Sequence, residues 1–404
     1  MGRPTLEGGR ALVATVCAME LANLLGVGAF GALLPEFRAS WQLANAEAGW
    51  IDGAQQAGYL VAVPLLVGLT DRMPARRIYA AASLVTALAM TGFALFAAGL
   101  WSACLFRALA GVGLAGTFMP GLKILSDRLE GKAQSRAVAC YTACFSLGMS
   151  LSVFAAGWLA ATAGWRTAFF AAGAAAGIAA ILVIRLVPDT PMRAAPADAR
   201  RRPILPLRRI LANREAVRFS LAYAAHMWEL YGVRAWLVAF LTYVAARSGT
   251  ATGPAIPSAA AIILALSLPA SILGNEAALK FGRRRVLVAV MGASALVAPL
   301  VGLAGAISYE AALGAAAIYI CLVSGDSAAL TAGTVGAAHP DLRGGAMAFH
   351  SLVGFAGATL GPILFGGALD LIGSDRPGGW VLAFALLGAG VACGPLLLLR
   401  MRAT

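Results

Sequence analysis

Twelve stretches of about 20 mostly apolar residues follow one another along this chain, each long enough to cross a lipid bilayer as a helix. Their approximate limits are 11–34, 48–69, 78–98, 101–122, 137–160 and 166–187, then 216–244, 258–279, 286–306, 309–335, 345–369 and 379–399. Runs of that length leave few folds open. In lipid every backbone N–H and C=O must find a partner inside the protein, so a run this long is predicted to be a spanning helix. The predicted fold class is an all-α membrane protein. Charge supports this: only 12% of the 404 residues are charged and 60% are hydrophobic, against roughly 25% charged in a soluble domain. Gly and Ala recur in every span, and small residues let helix backbones approach closely, so the helices are predicted to pack as bundles.

One polar stretch interrupts the series. Residues Pro188 to Arg214 hold five prolines, two acids and seven arginines. A segment of that kind cannot span lipid and has little to bury, so it reads as a linker. It divides the chain into 1–187, 188–214 and 215–404: two six-helix bundles joined by a basic connection. The basic residues set the orientation. Of 31 lysines and arginines, 25 fall on the side that holds both termini, the linker and the loops after spans 2, 4, 8 and 10. Four fall on the other side (Arg38, Arg166, Arg247 and Arg376), and Arg107 and Arg234 lie inside spans. The split predicts cytoplasmic N- and C-termini in a multi-pass protein of the plasma (inner) membrane. The apolar run after MGRPTLEGGR is too long for a signal-peptide core and is expected to remain as the first span. The net charge of +13 does not point to nucleic acid, because the basic clusters are short and no aromatic-studded basic face accompanies them. The six cysteines all sit in apolar runs without zinc-ligand or disulfide spacing, so no metal and no cofactor is expected.

The halves echo each other. Met19-Glu20-Leu21 in span 1 matches Trp228-Glu229-Leu230 in span 7, and the Gly164-Trp165 opening of span 6 matches Gly379-Trp380 in span 12. Ser146-Leu147 in span 5 matches Ser351-Leu352 in span 11. Repeats in the same order at similar offsets are the layout of a transporter that rocks two bundles about a site between them.

The loop Val67-Gly68-Leu69-Thr70-Asp71-Arg72-Met73-Pro74-Ala75-Arg76-Arg77 resembles the signature of the major facilitator superfamily, G-x-L-a-D-r-x-G-R-K. Leu69, Asp71 and Arg72 are in register. The first Gly is displaced by one place, Pro74 replaces the second, and the basic pair is shifted. Arg107 with Gly111-Val112-Gly113 in span 4, and Gly164-Trp165-Arg166 at the mouth of span 6, resemble further patterns of that superfamily. The resemblance covers the whole chain. It implies a twelve-helix fold of two pseudo-symmetric bundles, secondary transport, and a conformational latch at Asp71, Arg72 and Arg76, with the acid facing a helix N-terminus whose dipole favours it. The bland alternative for that loop is a plain positive-inside turn. The run Gly111 to Gly116 also fits G-x-G-x-x-G, but no strand precedes it, so it reads as a packing face rather than a dinucleotide site.

Span 7 carries the most chemistry. His226 and Glu229 are three residues apart and share a helix face. Two such side chains are too few for a metal site. Ionisable residues at membrane depth are costly and mark pathways or buried pairs. Glu20, Arg107, His226, Glu229, Arg234 and Asp326 are therefore the candidate substrate and coupling residues. Symmetry suggests the pairings Glu20–Arg107 and Arg234–Asp326; burial as purely structural pairs is the competing reading. Gln55, Gln56, Tyr59, Tyr141, Trp228, Tyr319 and His350 are candidate cavity residues, each as readily a packing residue. The two arginines point to an anionic solute, and Glu229 with His226 points to protons. The expectation is a secondary transporter of a small organic anion, proton-coupled, in contact with solute, protons and lipid but not nucleic acid. A proton-coupled drug or metabolite efflux antiporter and a non-transporting membrane sensor or scaffold are the alternatives. No nucleophile–base set is present, so an enzyme is not expected.

Overall fold

The computed structural model describes residues 9–69, 73–188, 207–250, 253–339 and 342–400, and these fold almost wholly as α-helix. Nine helical stretches among them are long and apolar enough to cross a membrane. The other three expected spans are also helical but break that pattern. Span 1 is interrupted into α1 (Gly9–Leu24), α2 (Ala29–Ala32) and α3 (Leu34–Trp41). Span 2 is α4 (Asn45–Leu69), whose first half carries Glu47, Asp52, Gln55 and Gln56, and span 7 carries His226, Glu229 and Arg234. Many large apolar side chains face outward, including Trp101 at 83%, Leu371 at 81% and Ile307 at 80% exposure. Such surfaces are rare on soluble monomers and fit lipid as the surrounding solvent.

Two compact units result: Met1–Ala29 with Ala57–Ile204, and Phe30–Gln56 with Leu205–Thr404. The division does not follow the linker alone, because the outer part of span 1 and the first half of α4 group with the helices after it. In the first unit, α5 (Ala75–Phe96) packs on α6 (Leu100–Ser126) and on α8 (Trp165–Leu186), while α7 (Gly131–Ala163) lies against α1. Its core gathers Leu12, Val16, Tyr79, Ile124, Tyr141 and Val183. Gly164, at φ +84°, makes the tight turn between α7 and α8 that an L side chain would resist. There Arg166 lies over the Trp165 ring at 4.5 Å and donates to the Ala94 carbonyl.

From Leu205 on, the second unit holds α9 (Leu207–Ala212), inside the stretch read as linker, and the 35-residue α10 (Arg214–Ser248). Span 8 follows as α11 (Ala255–Ala265) and α12 (Ser267–Phe281), broken at Leu266, and span 9 is α13 (Arg283–Ile307). Span 10 is α14 (Tyr309–Gly325) and α15 (Ser327–Ala337), broken at Asp326. Then come α16 (Arg343–Ile372), α17 (Pro377–Val391) and α18 (Cys393–Leu399). α10 is the spine of this unit and packs most extensively on α16. Rings of Trp236, Phe240, Phe365, Trp380 and Phe384 interlock at one end of it.

The break in span 1 has a specific support. Between α1 and α2 the backbone leaves the helix at Leu25–Gly28, and freed carbonyls inside a membrane protein need other donors. The Arg107 guanidinium on α6 donates to the Gly26 and Val27 carbonyls at 3.2 Å. Ser152 on α7 donates to the Leu25 carbonyl and accepts from the Gly28 N–H.

Candidate functional site

Among the described residues each unit buries one glutamate, held by hydroxyl groups rather than by a cation. In the first unit α1 carries Glu20 into the core, fully buried. Tyr141 of α7 donates to its Oε2 at 2.7 Å and Tyr79 of α5 at 3.2 Å. Asn23, one turn along α1, donates to the Tyr79 oxygen at 3.3 Å. The Tyr141 hydroxyl is also 3.1 Å from the Thr117 carbonyl on α6. One proton serves only one of these two acceptors at a time. Gly121 makes the approach possible, since a Cβ there would collide with the Tyr141 hydroxyl. The other carboxyl oxygen, Oε1, has no hydrogen-bond partner among the described residues.

The second unit repeats the theme on α10. Glu229, fully buried, accepts at Oε1 from Ser294 of α13 and from Tyr319 of α14, each at 2.8 Å. Its Oε2 has no hydrogen-bond partner among the described residues. One turn earlier His226 places Nδ1 2.7 Å from Oδ1 of Asp326, the residue at the break between α14 and α15. The two contacts, 226 with 326 and 229 with 319, run antiparallel along the same pair of spans. One turn earlier again, the Tyr223 ring stacks on His350 of α16 at 3.9 Å and on His226 at 5.6 Å. His350 in turn is 3.0 Å from the Thr334 hydroxyl and 3.4 Å from that of Thr331. Tyr223, His226 and Glu229 thus form one polar stripe, as i, i+3 spacing on a helix dictates.

Two expected pairings are not the ones formed. Glu20 does not pair with Arg107: its carboxyl faces tyrosines, while Arg107 reaches the carbonyls of the span 1 break. Asp326 meets His226 rather than Arg234, whose guanidinium lies 5.6 Å from the Tyr231 ring centre. The reason is rotational. Arg234 is five residues past Glu229, about 140° round the helix, and so leaves the face that looks at α14. Arg76 donates to the Val187 carbonyl at 2.8 Å, tying the start of α5 to the end of α8. Asp71 and Arg72 lie outside the described residues. Of the candidate cavity residues, Gln55 and Gln56 are buried, and neither amide atom of Gln55 has a hydrogen-bond partner among the described residues.

Sequence reasoning missed Tyr79, Asn23 and Ser294. One signal was available for Ser294: it lies 215 residues after Tyr79, the offset at which the Gly-Trp opening of span 6 recurs in span 12. Each of the two thereby puts a hydroxyl from the third helix of its half on the glutamate of the first.

Comparison with known proteins gives a consistent picture. The family model for the Major Facilitator Superfamily matches residues 16–270. The 4-hydroxybenzoate transporter PcaK of Acinetobacter baylyi is 26% identical over 180 residues, 44% of this chain and 39% of PcaK. The niacin transporter NiaP of the same organism is 25% identical over 168 residues, 42% of this chain and 38% of NiaP. The matched stretches thus span about two fifths of these relatives. Among solved structures, a bacterial homologue of the human lysosomal transporter Spinster, inward-facing and occupied, has a TM-score of 0.74 at 17% identity, covering 96% of this chain and 94% of that one. The nucleoside transporter NupG has a TM-score of 0.76 at 15% identity, covering 97% of this chain and all of NupG.

Proposed function

The chain belongs to the Major Facilitator Superfamily of membrane transporters, and on that premise we propose that it carries a small organic anion together with a proton across the plasma (inner) membrane, by alternating access of its two six-helix repeats. Glu229 is the proton carrier in this reading. The observation that carries it is the absence of any cation on the Glu229 carboxyl among the described residues: Ser294 and Tyr319 hold one oxygen, and the other has no hydrogen-bond partner. A buried ion pair would hold its charge through the cycle. An unpaired buried carboxylate is expensive, and a proton removes that cost. Occlusion and protonation are then coupled, because the occluded state is affordable only with the proton on.

Glu20 supplies a second group of the same kind, and Tyr141 gives it two hydrogen-bond states. An ionised Glu20 accepts the Tyr141 proton. A protonated Glu20 donates to Tyr141, whose own proton then turns to the Thr117 carbonyl 3.1 Å away. The anionic character of the solute is drawn from Arg234, on the same helix as Glu229 but about 140° round it, and from the two relatives, whose named solutes, 4-hydroxybenzoate and niacin, are small aromatic acids. Gln55 adds an amide with hydrogen-bonding capacity to spare.

Glu229→Gln tests this reading, because the amide mimics the protonated carboxyl in size and polarity. A thermal-shift screen with 4-hydroxybenzoate, niacin and neutral or cationic controls first identifies a ligand, since a molecule that binds only the folded state raises its apparent stability. In vesicles the variant is expected to lose accumulation driven by a pH gradient and to keep exchange of labelled solute at equal pH. A variant that still accumulates solute overturns Glu229 as the obligatory carrier. Loss of both activities with a lower melting temperature assigns it a structural role.

A further inference from the structure

We propose that Asp370 is a gate residue: its carboxylate, bound to the first turn of α4, closes the side of the protein opposite the linker, and its release opens that side. The inference rests on the alternating-access part of the proposed function and needs neither the proton nor the identity of the solute.

The first N–H groups of any helix lack partners within it. Those of Asn45 and Ala46, at the start of α4, donate to the two oxygens of Asp370 at 2.9 and 2.8 Å. The Asn45 side chain adds a third hydrogen bond at 2.7 Å. Asp370 stands in the last turn of α16, where the dipole of its own helix disfavours a negative charge. The N-terminus of α4 reverses that balance. An acid at this position is therefore poorly placed for α16 and well placed for α4.

Below the carboxylate, the two helices touch backbone to backbone. A Cβ at Gly366 would strike the Asn45 carbonyl, one at Gly49 the Pro362 carbonyl, and one at Gly53 the Thr359 carbonyl. Positions 45, 49 and 53 are one face of α4, and 359, 362, 366 and 370 are one face of α16. The helices run antiparallel along a seam in which glycine backbone meets backbone carbonyls, with the Ile363 side chain against Gly53. Such a seam parts without unpacking a core, since small residues make a flat contact. Asp370 itself is solvent-exposed. Water replaces its partners at little cost when the seam opens, and so its bonds bias an equilibrium rather than lock it. The two segments are more than 300 residues apart and lie on either side of the linker. They share one compact unit in this structure, and rocking of one sequence repeat against the other would part them.

The test is a distance measurement between nitroxide labels at Ala44 and Leu371, two exposed positions beside the contact. The six cysteines, none of which forms a disulfide, are replaced by alanine in a background that retains transport. The parent protein is expected to give mainly the short distance of the closed seam. Asp370→Asn keeps the size but removes the charge on which the bonds depend. It is expected to raise the ratio of a second, longer distance to the short one by on the order of tenfold, and Asp370→Glu to restore the parent distribution. Gly49→Val is expected to populate the same longer distance without touching the carboxylate. Identical distributions in parent, Asp370→Asn and Gly49→Val overturn the proposal, as does an Asp370→Asn protein that melts earlier with no longer distance, since Asp370 is then only a helix cap. A longer distance in Asp370→Asn together with intact accumulation by Glu229→Gln leaves the gate standing and removes only the proton assignment.

Discussion

Glu20 and Glu229 each spend one carboxyl oxygen on two hydroxyl donors and leave the other oxygen without a hydrogen-bond partner among the described residues. Donors of this kind matter more to an ionised carboxylate than to a neutral carboxyl: a bond to a charged group contributes about 1.5–3 kcal/mol and a neutral one about 0.5–1.5 kcal/mol. Tyr319→Phe removes one of them with almost no change in shape. Its cost in stability is expected to grow as pH rises and Glu229 ionises. Melting curves of parent and variant should therefore diverge at high pH and converge at low pH. A pH-independent difference would mean that the tyrosine acts by packing alone. The two glutamates were legible in the sequence, because each is a lone acid in an apolar run at matching places in the two halves. Their hydroxyl partners were not all legible. Ser294 and Tyr79 look like any small or aromatic packing residue until the rotation of α13 and α5 aims them at a carboxyl.

Among the elements, the interrupted first span explains Arg107 better than a solute-facing role does. A guanidinium offers several N–H groups in a fixed fork, which suits two adjacent carbonyls that have left their helix. One guanidinium nitrogen donates to both Gly26 and Val27, and the second adds another bond to Val27. Arg107→Lys loses that second bond and the rigid fork that aims the first, at a cost of about 1.5–3 kcal/mol. The variant is expected to melt earlier, and the solute concentration for half-maximal transport is expected to stay near that of the parent. The reverse result, unchanged melting with weakened solute affinity, would return Arg107 to the solute cavity where the sequence pattern first suggested it. The break itself was hidden because Leu24-Leu25-Gly26-Val27-Gly28 is as apolar as an unbroken helix, and only the two glycines hint at it. Span 10 differs in that its break falls at a charged residue, Asp326, which the break presents to His226.

Over the whole molecule, the helical fold and the family were readable from the spacing of apolar runs and from a few loop and span residues, since the length of a spanning helix is set by the bilayer rather than by fine packing. The way the outer part of span 1 and the first half of α4 group with the helices after the linker was not readable. It depends on close backbone approach at Gly49, Gly53 and Gly366, and glycines in a chain with 47 of them do not announce which ones touch. The central claim is that solute and proton move together through Glu229, and the external pH of proteoliposomes tests it most directly. The vesicles are weakly buffered and start with equal pH on both sides, and a solute identified by thermal shift is added outside. Carriage of the solute inward with a proton predicts that the outer solution becomes more alkaline in the parent. Glu229→Gln should give no pH change while labelled solute still exchanges. Alkalinisation at the parent rate by Glu229→Gln, or acidification by the parent, would contradict the account.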